Sequence, residues 1–114
     1  MKDCIFCQII AGKLPAQRVF ENDHMIAVRD INPQAPTHLL IIPRRHIATL
    51  NDLQPADAGL MGEVVLIAAK LAAQEQVAEH GYRLVGNCNH DGGQSIYHIH
   101  FHLLGGRYMG WPPG

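Results

Sequence analysis

The sequence has almost no excess of charge of either sign. Nine Lys and Arg stand against ten Asp and Glu, a net charge of −1 with His neutral. That balance gives no electrostatic basis for holding a nucleic-acid backbone or an anionic membrane. No run of apolar residues nears the roughly 18 that a transmembrane helix needs. The opening "MKDCIFCQII" carries Asp3 and lacks an apolar stretch of signal-peptide length. Cysteine is sparse: three residues, an odd number, with no secretion signal, so reduced thiols and a cytoplasmic location are expected. Repeats and low-complexity tracts are also missing. What is present is a 114-residue chain, 47% hydrophobic and 17% charged, which suits a single domain over 1–114 with one core. The one compositional excess is histidine, with eight residues.

"CIFCQIIAG" reads as a short helix stopped by Gly12. "QRVFEN" and "HMIAVRDI", joined at Asn22-Asp23, read as a hairpin, and "NPQAPT" as a loop. "HLLIIP" has strand length and ends at Pro43, and "RRHIATLNDLQ" is a connection. From Pro55 to about Glu79, Leu60, Val64, Ile67, Ala68 and Leu71 recur at helical spacing, which predicts one long helix ending near Gly81. "YRLVGN" and "YHIHFHLLG" are strands on either side of the loop "CNHDGGQS". The tail "GRYMGWPPG" is irregular and is expected to pack through Trp111. The fold class is therefore α+β: a mainly antiparallel sheet of about five strands, one long helix on one face, and a short N-terminal helix.

The chemistry concentrates in "QSIYHIHFHLLGG". Residues i, i+2 and i+4 of a strand share a face, so His98, His100 and His102 are expected in a row, roughly 6–7 Å apart in succession. Tyr97, Ile99, Phe101 and Leu103 then face the core. Such a row can ligate zinc with a position left open, attack an electrophile, or shuttle protons near neutral pH. The bland alternative is a polar sheet face of solvated imidazoles. The preceding "HDGGQS" favours chemistry: glycine N–H groups and the Ser95 hydroxyl suit a phosphate oxyanion.

Cys4 and Cys7 form C-x-x-C. A redox motif, two inert buried thiols, and a zinc site are all open; zinc would need two further ligands, and histidines are in surplus. Cys88 reads as a loop thiol without a role. His24, His80 and His90 are expected to be solvated.

"QSIYHIHFHLLGGR" resembles the signature of the histidine triad (HIT) superfamily. "CIFCQIIAGKLPA", "RDINPQAPTHLLIIPRRHI", "GYRLVGN", "DGGQSIYHIHFHLLGGR" and the closing "WPPG" are similar to its Hint branch, the nucleoside phosphoramidases. The resemblance implies an α+β homodimer that cleaves the P–N bond of purine nucleoside phosphoramidates, AMP linked to an amine, with no cofactor in the chemistry. By matching positions, His100 would attack the α-phosphorus and form a nucleotidyl-histidine, and His102 would hydrogen-bond the phosphate. His38 would orient the set, and Ser95 would contact the phosphate or leaving nitrogen, with Gly93, Gln94 and Asn87 nearby. Asp30 would accept from the ribose hydroxyls. Ile5, Phe6, Ile9, Val28 and Ile31 would sandwich the purine. From the residues alone, Asp30 could equally cap a turn, and Ile5, Phe6 and Ile9 could be plain core. Some zinc-carrying relatives resemble the cysteine pattern, implying one structural zinc per chain on Cys4, Cys7, His46 and His98. In that case His98 is no proton shuttle. A dinucleoside polyphosphate hydrolase of the Fhit type, a nucleotide-binding regulatory module with incidental turnover, and a zinc hydrolase using the histidine row are the competing readings.

Overall fold

The apolar, β-branched segments pair into one five-stranded antiparallel sheet, in the spatial order 18–21, 25–29, 37–43, 101–105, 82–86. The computed structural model describes residues 3–114, so Met1 and Lys2, in the opening decapeptide considered above, lie outside the described residues. In chain order the elements are α1 (Ile5–Ile10), β1 (Arg18–Glu21), β2 (Met25–Arg29), β3 (Thr37–Pro43), two 3-10 turns (Leu50–Asp52 and Pro55–Asp57), α2 (Ala58–Gln74), β4 (Tyr82–Gly86) and β5 (Phe101–Gly105). The α+β class, the five strands, the long helix and the short N-terminal helix are as expected from the sequence. Among the described residues no helix is long and apolar enough to cross a membrane.

Alternation along each strand divides the core in two. Met25, Ala27, Leu39, Ile41 and Leu103 face α2, where Val64, Ile67, Ala68 and Leu71 of the helical stripe close over them. Each of these side chains larger than alanine contributes roughly 1.5–3 kcal/mol by leaving water. On the opposite face Ile26, Val28 and Ile42 pack with Phe6 of α1, and Leu40, Ile9 and Ile10 edge this smaller cluster. His38 and His102 belong to that second face, because their strand neighbours Leu39 and Leu103 belong to the first. The sheet therefore shows one side to the long helix and offers the other to α1 and the histidines.

Three expectations are corrected. The long helix stops at Gln74, not near Glu79. Gln76 takes φ +61°. Its N–H bonds to Ala73 O, and Val77 N–H bonds to Ala72 O, a Schellman closure that buries Val77 in the core. Glutamine does here what glycine usually does, so no residue type marked the end. The last strand is also shorter: only residues 101–105 pair, while 96–100 peel away. The Ile99 N–H bonds to Ile47 O, 2.7 Å away in the loop after β3, and this diverts the chain from the ladder. Tyr97 is correspondingly exposed rather than turned to the core. Finally, Trp111 is 83% exposed. The tail is fastened instead by its Met109 and Gly110 carbonyls, which accept from Arg83, and by the Arg107 side chain, whose Nε donates to Gln34 O.

Candidate active site

His102 sits within β5, opposite Leu40 of β3 and Val85 of β4. His98 and His100 lie in the diverging segment before the strand, so the expected ladder geometry holds for His102 alone. The rings nevertheless gather. His100 and His102 have centroids 5.2 Å apart, and the Phe6 ring meets His100 edge-on at 4.9 Å and His98 at 5.9 Å.

The hydrogen bonds assign a tautomer to each imidazole. The Gln34 N–H donates to His38 Nδ1 at 3.0 Å, so neutral His38 carries its proton on Nε2. That Nε2–H faces His102 Nδ1 at 2.9 Å, with Asp30 Oδ2 at 3.3 Å. His102 accepts at Nδ1 and therefore holds its proton on Nε2, as a donor beside the cavity it lines. The partner of His100 Nδ1 is the carbonyl of His98 at 2.8 Å; a carbonyl only accepts, so the proton is on Nδ1. His100 Nε2 is left as a lone pair, and no described residue hydrogen-bonds it. His98 donates from Nε2 to Pro43 O at 2.7 Å, which leaves its Nδ1 as a lone pair.

Burial keeps these rings neutral. It lowers the pKa of His38, His98 and His100 below the usual imidazole range. His102 is pushed down to about 4 by burial first and then by the neighbouring His100 and His38. A group whose folded pKa is lowered by removal of its charged form stabilises the fold fully above its unfolded pKa, near 6.5, and loses that contribution as pH falls toward the folded value. Between about pH 6.5 and 4 the unfolded state binds the extra proton. We expect urea unfolding midpoints to fall across that window. The His102 share is on the order of 2 kcal/mol once its partial exposure is discounted. In His102→Asn the slope should be shallower, and an unchanged slope would contradict the assignment.

The other expected site residues divide by location. Asp30 does two things: Oδ1 accepts from the Asn32 N–H and caps the turn, while Oδ2 faces His38. Asn87, half-buried, donates to Gly92 O and lines a cavity of about 440 Å³ with His38, His102, Gln34, Arg83 and the tail. Ile31 is wholly exposed and Ile5 is 45% exposed; Ile9 is half-buried, and Phe6 and Val28 lie buried beneath. Ser95 is exposed at the mouth of the loop. Two loop expectations change. The Gly93 N–H is already bonded to His90 O. The Gln94 amide braces the loop, donating to Ala48 O and Ile96 O and accepting from the Asn89 N–H. Gly92 has its own reason to be glycine: a Cβ there would lie 2.3 Å from Cys88 O. His24, His80 and His90 are exposed, and Cys88 is a free thiol.

The cysteines do meet the two histidines. His98 Nδ1 lies 3.2 Å from Cys4 Sγ, 3.6 Å from Cys7 Sγ and 3.2 Å from His46 Nδ1, and Cys7 Sγ is 3.5 Å from His46 Nδ1. A tetrahedral zinc with bonds of about 2.3 Å to sulfur and 2.0–2.1 Å to nitrogen separates N from S by roughly 3.5 Å and N from N by roughly 3.3 Å. The donor set and its spacing are compatible with zinc. Burial and the adjoining Cys4 sulfur raise the Cys7 pKa, so a thiolate there calls for a cation. A second His/Asp grouping, Asp30, His38 and His102, also brings ligand atoms together. Its contacts are already accounted for by the tautomer chain.

A paired His38–His102, a buried His100 with a bare Nε2, and the loop before them form one constellation on the sheet face away from α2. The HIT domain family model matches residues 11–109. The chain belongs to the HIT domain family. A purine nucleoside phosphoramidase of Escherichia coli strain K12 is 50% identical over 109 residues, covering 96% of this chain and 92% of that protein. The crystal structure of a HIT family hydrolase from Legionella pneumophila superposes with TM-score 0.96 at 57% identity, covering 98% of this HIT protein and all of the other chain. A zinc-bound histidine triad protein from Mycobacterium smegmatis matches with TM-score 0.79 at 30% identity, covering 99% of this chain and 81% of that one.

Four contributors were invisible to residue-type reasoning because they are backbone groups. The Gln34 N–H sets the His38 tautomer, and Pro43 O sets that of His98. The His98 carbonyl orients His100, and Ile47 O bends the chain between them. In the sequence "NPQAPT" reads only as a loop.

Proposed function

We propose that this chain hydrolyses purine nucleoside phosphoramidates, AMP–amine compounds, through a nucleotidyl-His100 intermediate. The observation that carries this reading is the bare Nε2 of His100, held by the Nδ1–H bond to the His98 carbonyl. That lone pair attacks phosphorus. The P–N bond to the amine breaks, and the amine leaves with the electron pair and takes a proton from solvent. Water then attacks the same phosphorus, His100 Nε2 departs, and AMP is released. His102 donates from Nε2 to a phosphate oxygen, and His38 keeps it in that tautomer. Ser95 and Asn87 contact the phosphate or leaving nitrogen, with Gly93 and Gln94 shaping the loop beneath. Asp30 accepts from the ribose hydroxyls through its Oδ2 edge. Exposed Ile5 and Ile31 cover the purine, with Ile9, Phe6 and Val28 behind them.

The reading includes one structural zinc per chain on Cys4, Cys7, His46 and His98. Four protein ligands leave no open position, so zinc supplies cross-linking and no chemistry. It also includes a single domain, a homodimer, a cytoplasmic location, and no nucleic-acid or membrane partner.

The test compares kcat/KM on an AMP–amine substrate and on a diadenosine polyphosphate. The phosphoramidate is expected to be preferred by at least about 100-fold, a difference of roughly 2.7 kcal/mol in transition-state binding. Preference for the polyphosphate would move the chain to the Fhit type of activity. Binding of AMP without turnover of either would make it a binding module.

A further inference from the structure

His98 presents two different groups to two different neighbours. Its Nδ1 faces Cys4, Cys7 and His46, and its carbonyl accepts the Nδ1–H of His100 at 2.8 Å. The same residue is thus an end of the Cys/His cluster and the orienting partner of the nucleophile. A second link runs in parallel. Phe6 sits between Cys4 and Cys7 on α1, is 3% exposed, and sets its ring edge-on against both His98 and His100. The N–H of Cys7 donates to Cys4 Sγ, so the two sulfurs and the aromatic ring ride on one turn of backbone. Residues 96–100 have no ladder partner of their own. Their position depends on the Ile99 bond to Ile47, the His98 bond to Pro43, and what holds the His98 ring from its other side.

We propose that the Cys4–Cys7–His46–His98 cluster, when it holds zinc, is a positioning device for His100, acting through the His98 carbonyl and the Phe6 ring. The inference rests on the zinc and nucleophile assignments proposed above. Cys4, Cys7, His46 and Phe6 are positioning residues, since none of them reaches the phosphorus. With the cluster closed, the His98 ring is fixed at both nitrogens, its carbonyl is aimed, and His100 is held with its proton on Nδ1 and Nε2 bare. With the cluster open, α1 and Phe6 are released, and His100 samples the other tautomer, in which Nε2 carries the proton and attack stops.

Ring-nitrogen NMR of histidine-labelled, folded protein reads this directly, without turnover. In the chain carrying one zinc, His100 is expected to show a single tautomer with a slowly exchanging Nδ1–H. After zinc is removed by chelation, with amide dispersion retained, the Nδ1 and Nε2 shifts should move toward each other and the Nδ1–H should exchange at least about tenfold faster. Phe6→Leu in the zinc-loaded protein keeps all four ligands and should give a smaller change in the same direction, so the test survives if the metal-free chain unfolds. Unchanged His100 ring signals in the folded metal-free protein, or in Phe6→Leu where that protein unfolds, overturn the proposal. So does a chain that takes up no zinc on titration with it. Failure of the hydrolase reading is a separate result: zinc-loaded wild type would release no AMP from any amine adduct while the ring signals still respond to zinc.

Discussion

His100→Ala is expected to abolish the nucleotidyl-enzyme and to lower turnover of an AMP–amine substrate by at least about 10⁴-fold. No neighbour can take over. His102 Nδ1 is occupied by His38, and His98 Nδ1 faces the cysteines 3.2–3.6 Å away. Water remains as a nucleophile, but it must then do in one step what His100 divides into two. The loss should fall on kcat, because phosphate and nucleoside contacts stay in place. AMP affinity is expected to stay within a few-fold of wild type. The imidazole is buried, so its removal also leaves a small cavity under Phe6 and costs stability. A thermal melt run beside the kinetics separates the two effects. The decisive measurement is single turnover with labelled substrate, followed by acid quench and a search for nucleotide bound to protein. Wild-type turnover in His100→Ala would sink the nucleophile assignment and, with it, the reading of the bare Nε2.

Much of this was legible in the residues, for reasons that can be named. The stripe Leu60, Val64, Ile67, Ala68 and Leu71 buries one side of a helix wherever that helix lies, so periodicity alone found α2 and its inner face. The apolar run "HLLIIP" likewise found β3 by its length and its closing proline. The same rule misled at "YHIHFHLLG". Perfect alternation says which way side chains point if the segment is a strand, and nothing about whether a partner is there to pair with. The Ile47 and Pro43 carbonyls took residues 98 and 99 out of the sheet; Pro43 ends β3, and Ile47 lies in the connection after it that periodicity could not resolve. Gln76 hid the end of α2 because a left-handed glutamine has no signature in sequence. For the site, side-chain types pointed to the imidazoles that the fold gathers, while the tautomer of each depended on backbone groups. One histidine is bare at Nε2 and another at Nδ1 only because of which carbonyl each one meets.

Stripping zinc from the protein is expected to lower its melting temperature by about 15 °C or more. The donors come from three places: the start of α1, the connection after β3, and the segment before β5. Joining them closes the long loops between residues 7, 46 and 98, which the unfolded chain would otherwise leave free. Zinc present at a thousand times its dissociation constant adds about 4 kcal/mol to the folded state. At roughly 4–8 °C per kcal/mol for a domain near this size, that corresponds to the stated shift or more. The apolar contacts of α1 cannot make up the difference. Only Phe6 of that helix is fully buried, and Ile9 and Ile10 are half-covered. Cys4→Ser and Cys7→Ser should each reproduce most of the loss and lower the zinc content measured by elemental analysis below one per chain. Cys88→Ser is the control, because that thiol stands outside the cluster and should leave both readings unchanged. Activity falling at once on chelation, in protein whose melting point is unmoved, would instead point to a metal taking part in the chemistry. An unmoved melting point with no zinc found would reduce the cluster to two thiols and two imidazoles packed under α1, and His98 would then be free to act with His100 and His102 as a third member of the reactive set.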